Sequence, residues 1–183
     1  FSLLPIVPEG DIFIHSGDFF DYDGPSQPHE TQYKILNDFM GKLPHRHKIF
    51  VAGNHDFCFS ENSRDKFEGV LSNLHYLQDD LITVHGLRIY GSPWNKDRGS
   101  WADGFVLSQE SIRKKWQAIP QDIDVLVTHS PPYEILDRNG QLGCPELRKE
   151  IFKRVRLDIV ISFQSKIFNL TYPIAGLLCI SLA

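Results

Sequence analysis

The stretch Lys-Ile-Phe-Val-Ala-Gly-Asn-His-Asp, at residues 48–56, determines how the rest of the chain is interpreted. Its apolar residues 49–52 have the length and the branched or aromatic content of a buried strand. The strand pattern stops at Gly53, where the missing Cβ lets the backbone turn sharply. Asn54, His55 and Asp56 follow, and their side chains bind metals or transfer protons. Because ligands of α/β sheets bind beyond the carboxyl ends of the strands, this turn is a candidate functional site.

Two other segments repeat this pattern of a buried strand followed by a metal-binding side chain. Residues 11–15 predict a strand that is followed by glycine and Asp18, and residues 124–128 predict one that is followed by His129. A helix predicted between the first two strands makes a right-handed crossover, so these strands should be parallel neighbours. We therefore expect Asp18 and Asn54 to lie side by side at one edge of a sheet.

The remaining elements are predicted from shorter signals. Helices are expected at residues 30–40, 60–73, 108–118 and 145–155, and strands at residues 74–77, 82–85, 87–90 and 159–163. The three short runs between residues 74 and 90 predict an antiparallel meander. The uncharged, apolar residues 167–183 are fewer than the roughly 20 residues that span a membrane, and Pro173 interrupts them, so a membrane anchor is not expected.

Composition limits the classes of function. The 183 residues, 42% hydrophobic and 23% charged, are typical of one soluble globular domain. A net charge of −4 argues against binding to a nucleic-acid backbone but is compatible with a small phosphate ester. The three widely spaced cysteines form no disulfide framework or zinc pattern, and no signal peptide is recognised, so a cytoplasmic location is expected. The oligomeric state stays open.

The three side chains at strand ends suggest metal chemistry. Asp18, Asn54 and His129 offer two oxygens and one nitrogen, a mixture that suits Mn, Fe or Zn. Two ions bridged by a carboxylate would generate a hydroxide and bind a phosphoryl oxygen. His55 would stabilise charge in the transition state or protonate the leaving group. The alternative is that each of the three residues only caps a turn or a helix.

Three motifs in order resemble the calcineurin-like metallophosphoesterase superfamily. They are Gly-Asp-Phe-Phe-Asp at residues 17–21, Gly-Asn-His-Asp at residues 53–56 and Thr-His-Ser-Pro-Pro at residues 128–132. Gly-Ser-Pro-Trp at residues 91–94 resembles the branch of small metallophosphoesterase-domain-containing proteins. The resemblance covers about residues 8–155. It implies a layered α/β/β/α fold, two packed sheets flanked by helices, and hydrolysis of a phosphodiester by a metal-bound hydroxide.

The resemblance also implies roles for individual residues. Asp18 corresponds to the carboxylate that bridges two metals, and Asn54 and His129 correspond to ligands of the second metal. His55 corresponds to the histidine that contacts the substrate phosphate, and Asp56 would hold the His55 imidazole in place. The substrate would be a small phosphate ester or a nucleotide.

Two family motifs have no counterpart among these residues. The Asp-x-His motif that opens the family pattern is absent, and no histidine follows His129, so the closing Gly-His-x-His is absent too. The sequence therefore predicts a partial phosphoesterase domain at residues 1–156, followed by a divergent apolar tail at residues 157–183, truncated at both ends. It predicts one metal ion rather than two and an impaired enzyme. The alternative is an inactive relic or a regulatory protein that binds phosphate or nucleotide.

Several other residues have two interpretations or a structural one. Asp21 either binds metal or caps a turn, and Trp94 and Trp101 either line a substrate pocket or pack beneath their loop. His45 and His47 are assigned to a solvated loop. The remaining histidines, His15, His29, His75 and His85, are assigned structural or surface roles.

Overall fold

The architecture is a two-sheet sandwich with helices on both outer faces. The structure is a computed structural model, and it describes residues 7–20, 28–60, 64–97, 99, 104–135, 137, 143–155, 159–162 and 177–180. The strands are Ile12–His15 (β1), His47–Phe50 (β2), His75–Tyr76 (β3), Asp80–Val84 (β4), Leu87–Ser92 (β5), Asn95–Lys96 (β6), Val106–Leu107 (β7), Val125–Thr128 (β8), Ile159–Ser162 (β9) and Leu177–Ile180 (β10). The α-helices are His29–Gly41 (α1), Phe57–Ser60 (α2), Gln109–Gln117 (α3) and Pro145–Glu150 (α4), with a 3₁₀ turn at Arg64–Lys66 and a π-helical turn at Ile151–Val155.

The strands form two four-stranded sheets. The first has the order β10-β1-β2-β3 and the second has the order β4-β5-β8-β9, while β6 and β7 form a separate pair. Strand β1 runs parallel to β2, with Ile12 opposite His47, and α1 connects them. This confirms the predicted strand-helix-strand unit and its parallel neighbours.

The alternation of side chains along the strands divides the core into three layers. In β1, Ile12 and Ile14 face the second sheet, whereas Phe13 packs against α1. In β8, Val125 and Val127 face the first sheet, whereas Leu126 packs against α3 and α4. The layers therefore follow the order helix, sheet, sheet, helix, and the predicted α/β/β/α arrangement is confirmed.

The predicted antiparallel meander is wrong because its first run belongs to the other sheet. Strand β3 pairs parallel with β2, and only β4 and β5 form an antiparallel hairpin. The chain crosses between the sheets around Asp79, whose φ is 59°. Leu77 enters the core between the sheets there, directly beneath Gly91 of β5. Alternation identifies strands of this length, but it does not identify their partners.

The predicted helix at residues 60–73 is also wrong. Helix α2 ends at Ser60, residues 61–63 lie outside the described residues, and the chain then forms a 3₁₀ turn followed by turns as far as residue 70. Phe67 and Leu71 nevertheless enter the core beside α1, so burial is achieved without a regular helix.

Two strands follow residue 156, where the sequence suggests a change to a divergent tail. Strand β9 runs parallel to β8, and β10 runs antiparallel to β1. The suggested boundary therefore falls between the π-helical turn and β9, before the end of the second sheet. None of the helices in the described part of the chain has the length and apolar character needed to cross a membrane.

The close approach of Gly91 to the first sheet predicts a large effect for Gly91→Ala. A Cβ there would lie 2.3 Å from Cβ of Leu77 and 2.8 Å from Cγ2 of Val51. We expect the substitution to lower the free energy of unfolding by about 1–3 kcal/mol, because the sheets must move apart. Urea denaturation measures this. Gly69→Ala is the control, since a Cβ at Gly69 meets no atom within 4 Å; equal stability of the two variants would contradict the prediction.

Candidate metal centre

The candidate site lies where the carboxyl ends of β1, β2 and β8 meet at one edge of the sandwich. The first two strands belong to the first sheet and β8 belongs to the second. The turns after these strands carry Asp18, Asn54 and His129. The packing of the two sheets therefore brings together residues that are up to 111 positions apart, from Asp18 to His129.

The His129 imidazole is oriented by the backbone of the first turn. Its Nδ1 lies 2.8 Å from the carbonyl oxygen of Ser16 and donates a hydrogen bond to it. In a neutral imidazole this bond leaves the lone pair on Nε2. The Nε2 atom lies 2.8 Å from Oδ1 of Asn54 and 3.5 Å from Oδ1 of Asp18. His129 is only 4% exposed, so this geometry is held by packing.

These three atoms fit the donor set of one small divalent ion. With Oδ1 of Asn54 facing the ring, the Nε2 lone pair and this oxygen attract each other at 2.8 Å only through a positive charge between them, a metal ion or an imidazolium proton, whereas a flipped amide would donate its N–H to Nε2 without an ion. Donor atoms that share an ion at about 2.1 Å lie roughly 3 Å from one another. Across the described ranges, no group of three or more His, Cys, Asp or Glu side chains is placed to hold a metal. The set therefore consists of one carboxylate, one amide and one imidazole.

Two glycines allow the turns to approach this closely. A Cβ on Gly17 would lie 2.5 Å from the backbone nitrogen of Gly53 and 2.6 Å from Nδ1 of His129. A Cβ on Gly53 would lie 2.3 Å from Oδ1 of Asp18 and 2.6 Å from Cε1 of His129. The sequence predicts glycine as a residue that allows a sharp turn, and the structure adds that any larger side chain would fill the site.

Asp56 joins the two turns of the first sheet. Its Oδ2 accepts hydrogen bonds from the N–H groups of Gly53 and Asp18, at 2.7 and 2.9 Å. Its Oδ1 accepts from the N–H groups of Phe19 and Phe20, at 3.0 and 3.2 Å. All four donors to this fully buried carboxylate are backbone N–H groups, so Asp56 ties the two turns together. The sequence does not reveal this role. Its predicted role in orienting the His55 imidazole stays a prediction.

Burial and hydrogen bonding have opposite effects on the pKa of Asp56. Burial raises the pKa of this carboxyl to about 7, and the negative charge of Asp18 adds to the rise, whereas hydrogen bonds from the backbone N–H groups of Gly53, Phe20 and Asp18 lower it. Because the anion accepts four N–H donors, its hydrogen bonds offset part of the penalty of burial.

Asp18 and His55 are coupled through the backbone. Asp18 has a φ of 55°, an uncommon conformation for a residue other than glycine. Its Oδ1 accepts a hydrogen bond of 3.1 Å from the N–H of His55. His55 is partly exposed and follows Asn54 directly, whose carbonyl accepts a bond of 2.7 Å from the N–H of Gly104. Backbone strain of this kind is concentrated at functional sites.

His15 supports the turn that carries Asp18. Its Nδ1 accepts a hydrogen bond of 3.2 Å from the N–H of Gly17, and its ring packs against Phe19 and Phe50. Burial, together with the nearby His129 ring, lowers the pKa of His15 to about 4, so the ring stays neutral. The predicted structural assignment of His15 agrees with these contacts. A lone histidine at a strand end gives no signal of this specific task.

The remaining sequence assignments have mixed outcomes. The indole N–H of Trp94 donates to the Asp79 carboxylate, and the Lys115 ammonium lies 4.3 Å from the centre of the indole ring, contacts that support the packing role of Trp94. Asp21 and Trp101 lie outside the described residues. The solvated-loop assignment is wrong for His45, which is buried against Phe13, with Nε2 lying 3.0 Å from the carbonyl oxygen of Pro8. It is also wrong for His47, which is half-buried and forms the first residue of β2, opposite Ile12 of β1.

Comparison with known proteins agrees with this geometry. Residues 2–162 match the family described as Calcineurin-like phosphoesterase. Metallophosphoesterase domain-containing protein 1 of Homo sapiens is 34% identical over 177 residues, which cover 82% of this chain and 52% of that protein. A UPF0046 protein of Caenorhabditis elegans is 35% identical over 176 residues, covering 85% of this chain and 60% of that protein. The chain thus spans about half the length of the curated relatives it matches.

The tethering role of Asp56 predicts a severe effect for Asp56→Ala. Four N–H donors around the former carboxylate would lose their acceptor, so we expect the free energy of unfolding to fall by about 3–5 kcal/mol. Chemical denaturation measures the change. Asp38→Ala is the matched control because Asp38 is exposed on α1, and its effect should stay within about 0.5 kcal/mol. Similar midpoints for the two variants would show that the tether is dispensable.

Proposed function

Since this chain belongs to the calcineurin-like phosphoesterase family, we propose that it hydrolyses phosphodiester bonds in a small phosphate ester or nucleotide with the help of one divalent ion. Members of this family use divalent metals. The observation that supports the proposal is the convergence of Oδ1 of Asp18, Oδ1 of Asn54 and Nε2 of His129. Mn, Fe or Zn suits this mixture of oxygen and nitrogen donors.

Each residue of the site has a task in this proposal. Asp18, Asn54 and His129 would hold the ion, which when bound would neutralise phosphate oxygens and acidify a water molecule. The Ser16 carbonyl fixes the His129 ring so that Nε2 points towards the oxygens of Asn54 and Asp18. His55 stands beside the donor set, its backbone held by Asp18, and protonates the departing alkoxide or stabilises charge in the transition state.

The second candidate is a protein that binds phosphate or nucleotide without turnover. The composition of the donor set favours it, because the only carboxylate among the three converging donors of the described site is Asp18, so the ion would be held weakly. In both cases the ligand would be small, and a chain whose three cysteines form no disulfide framework in the sequence favours a reducing compartment. The cytoplasm is the compartment that we propose.

Asp18→Ala separates the two candidates. The substitution removes the only carboxylate of the donor set, so we expect the affinity for Mn²⁺ to fall by about tenfold or more. Electron paramagnetic resonance measures this binding. Hydrolysis of a bis-aryl phosphodiester by the unsubstituted chain should fall to background in the variant. If the unsubstituted chain binds Mn²⁺ and phosphate but shows no more turnover than Asp18→Ala, the second candidate is correct.

His55→Ala tests the proposed proton donor. We expect turnover to fall by about 10²-fold or more, because general acid catalysis contributes at least this factor. Mn²⁺ affinity should be unchanged, since the His55 side chain is not part of the donor set. His75→Ala serves as the control, because His75 is an exposed histidine at the start of β3. Turnover that survives in His55→Ala would contradict the assigned role.

A further inference from the structure

A cavity separate from the metal donors lies on the outer face of α4. Its volume is about 430 Å³, and its lining comprises Tyr133, Pro145, Arg148, Lys149, Phe152 and Lys153. Sites for small molecules have volumes of roughly 300–1,000 Å³. The lining combines two aromatic rings with three cationic side chains, and this combination suggests which chemistry the cavity would bind.

The cationic side chains are only partly neutralised. The Arg148 guanidinium pairs with the Glu134 carboxylate at 2.6 Å. Lys149 and Lys153 are exposed, and within the described parts of the chain neither has a hydrogen bond or ion pair. Since they lie four residues apart on one helical segment, their ammonium groups can reach the same anion.

The acidic side chains of this helix are engaged elsewhere. Glu146 accepts a hydrogen bond of 2.8 Å from the Gln109 amide, and Glu150 accepts one of 2.7 Å from the Arg154 guanidinium. In a chain with a net charge of −4, the outer face of α4 therefore forms a local patch of positive charge. Such a patch favours an anion at this place.

Phe152 provides an exposed aromatic surface beside these cations. It is 61% exposed, more than either of the other exposed large hydrophobic residues of the described chain, Leu81 at 37% and Ile159 at 44%. The buried residues Leu147, Ile151 and Val155 occupy the opposite side of the helix and pack towards α3. Phe152 follows Ile151 and so points away from this core, with the Arg148 guanidinium carbon 5.9 Å from its ring centre. A planar ring bound there would remove Phe152 from water.

We propose that this cavity is a second binding site, for an aromatic monophosphate such as a nucleoside monophosphate. The planar ring stacks on Phe152 beside Tyr133, and the phosphate lies between the Lys149 and Lys153 ammonium groups. The site shares no lining residue with the Asp18, Asn54 and His129 set. The cationic lining favours an anionic ligand over a neutral one.

The test is equilibrium dialysis of AMP against the whole chain in the presence of EDTA, so that no divalent ion contributes. We expect saturable binding that is retained by Asp18→Ala. Lys149→Ala/Lys153→Ala should weaken AMP binding by about tenfold, since two charge contacts with the phosphate are lost. Phe152→Ala should weaken it about fivefold or more through loss of stacking. Added salt should weaken binding to the unsubstituted chain.

Two further ligands and two control variants test whether binding is specific. Adenosine carries only the planar ring and inorganic phosphate carries only the anion, so each should bind more weakly than AMP. Lys149→Arg/Lys153→Arg should keep most of the affinity, and Lys114→Ala, an exposed lysine on α3, should leave it unchanged. The proposal is overturned if AMP does not bind, if Asp18→Ala abolishes binding, or if the double alanine variant binds as tightly as the unsubstituted chain. Failure here would leave the metal-dependent hydrolysis unaffected, because that reaction is measured by the separate Mn²⁺ assay.

Discussion

The Asp56 carboxylate is the constraint on which the candidate site depends. Its two oxygens collect four N–H groups from the turns after β1 and β2. Without this acceptor, the N–H of Gly53 would be buried and unpaired and the other three N–H groups would be partly buried, and a fully buried unpaired donor carries a penalty of about 1–3 kcal/mol. The turns therefore keep the positions that bring Asp18 and Asn54 towards the same point. The arrangement separates two tasks: one carboxylate shapes the backbone, and another is left to meet the ligand.

The second sheet contributes His129 to the candidate site, and the position of His129 depends on close packing between the two sheets. The core between the sheets is made mainly of branched side chains from β1, β2, β4, β5, β8 and β9, and it fixes the position of the turn after β8. His129 then lies against Gly17 and Gly53, where no larger residue fits. Because interiors of this density tolerate little displacement, movement of one sheet would separate the donor atoms. Stability of the sandwich and the ability to bind a metal thus have a common origin.

The sequence predicts the fold where one local rule repeats. A short apolar run, a glycine and a metal-binding side chain identify β1 and β2 with Asp18 and Asn54, and the crossover rule makes those strands parallel. The rule does not extend to β3, which pairs with β2 and is followed by Leu77 of the core between the sheets. It also misses the burial of His45, since a single polar residue in a loop carries no periodic signal. The tether made by Asp56 is a long-range contact, so no local pattern predicts it.

Cys144 gives the region between α4 and His129 a built-in reporter of local opening. Its N–H donates to the carbonyl of Pro131, its own carbonyl accepts from the N–H of Tyr133, and its Sγ accepts from the indole of Trp116. The side chain is 1% exposed, and burial raises the pKa of the thiol. The thiol is therefore protected from alkylating reagents as long as this region stays closed. The rate at which this thiol is labelled then reports how often the segment between the His129 turn and α4 opens, and its comparison with the rate of global unfolding separates local from global opening.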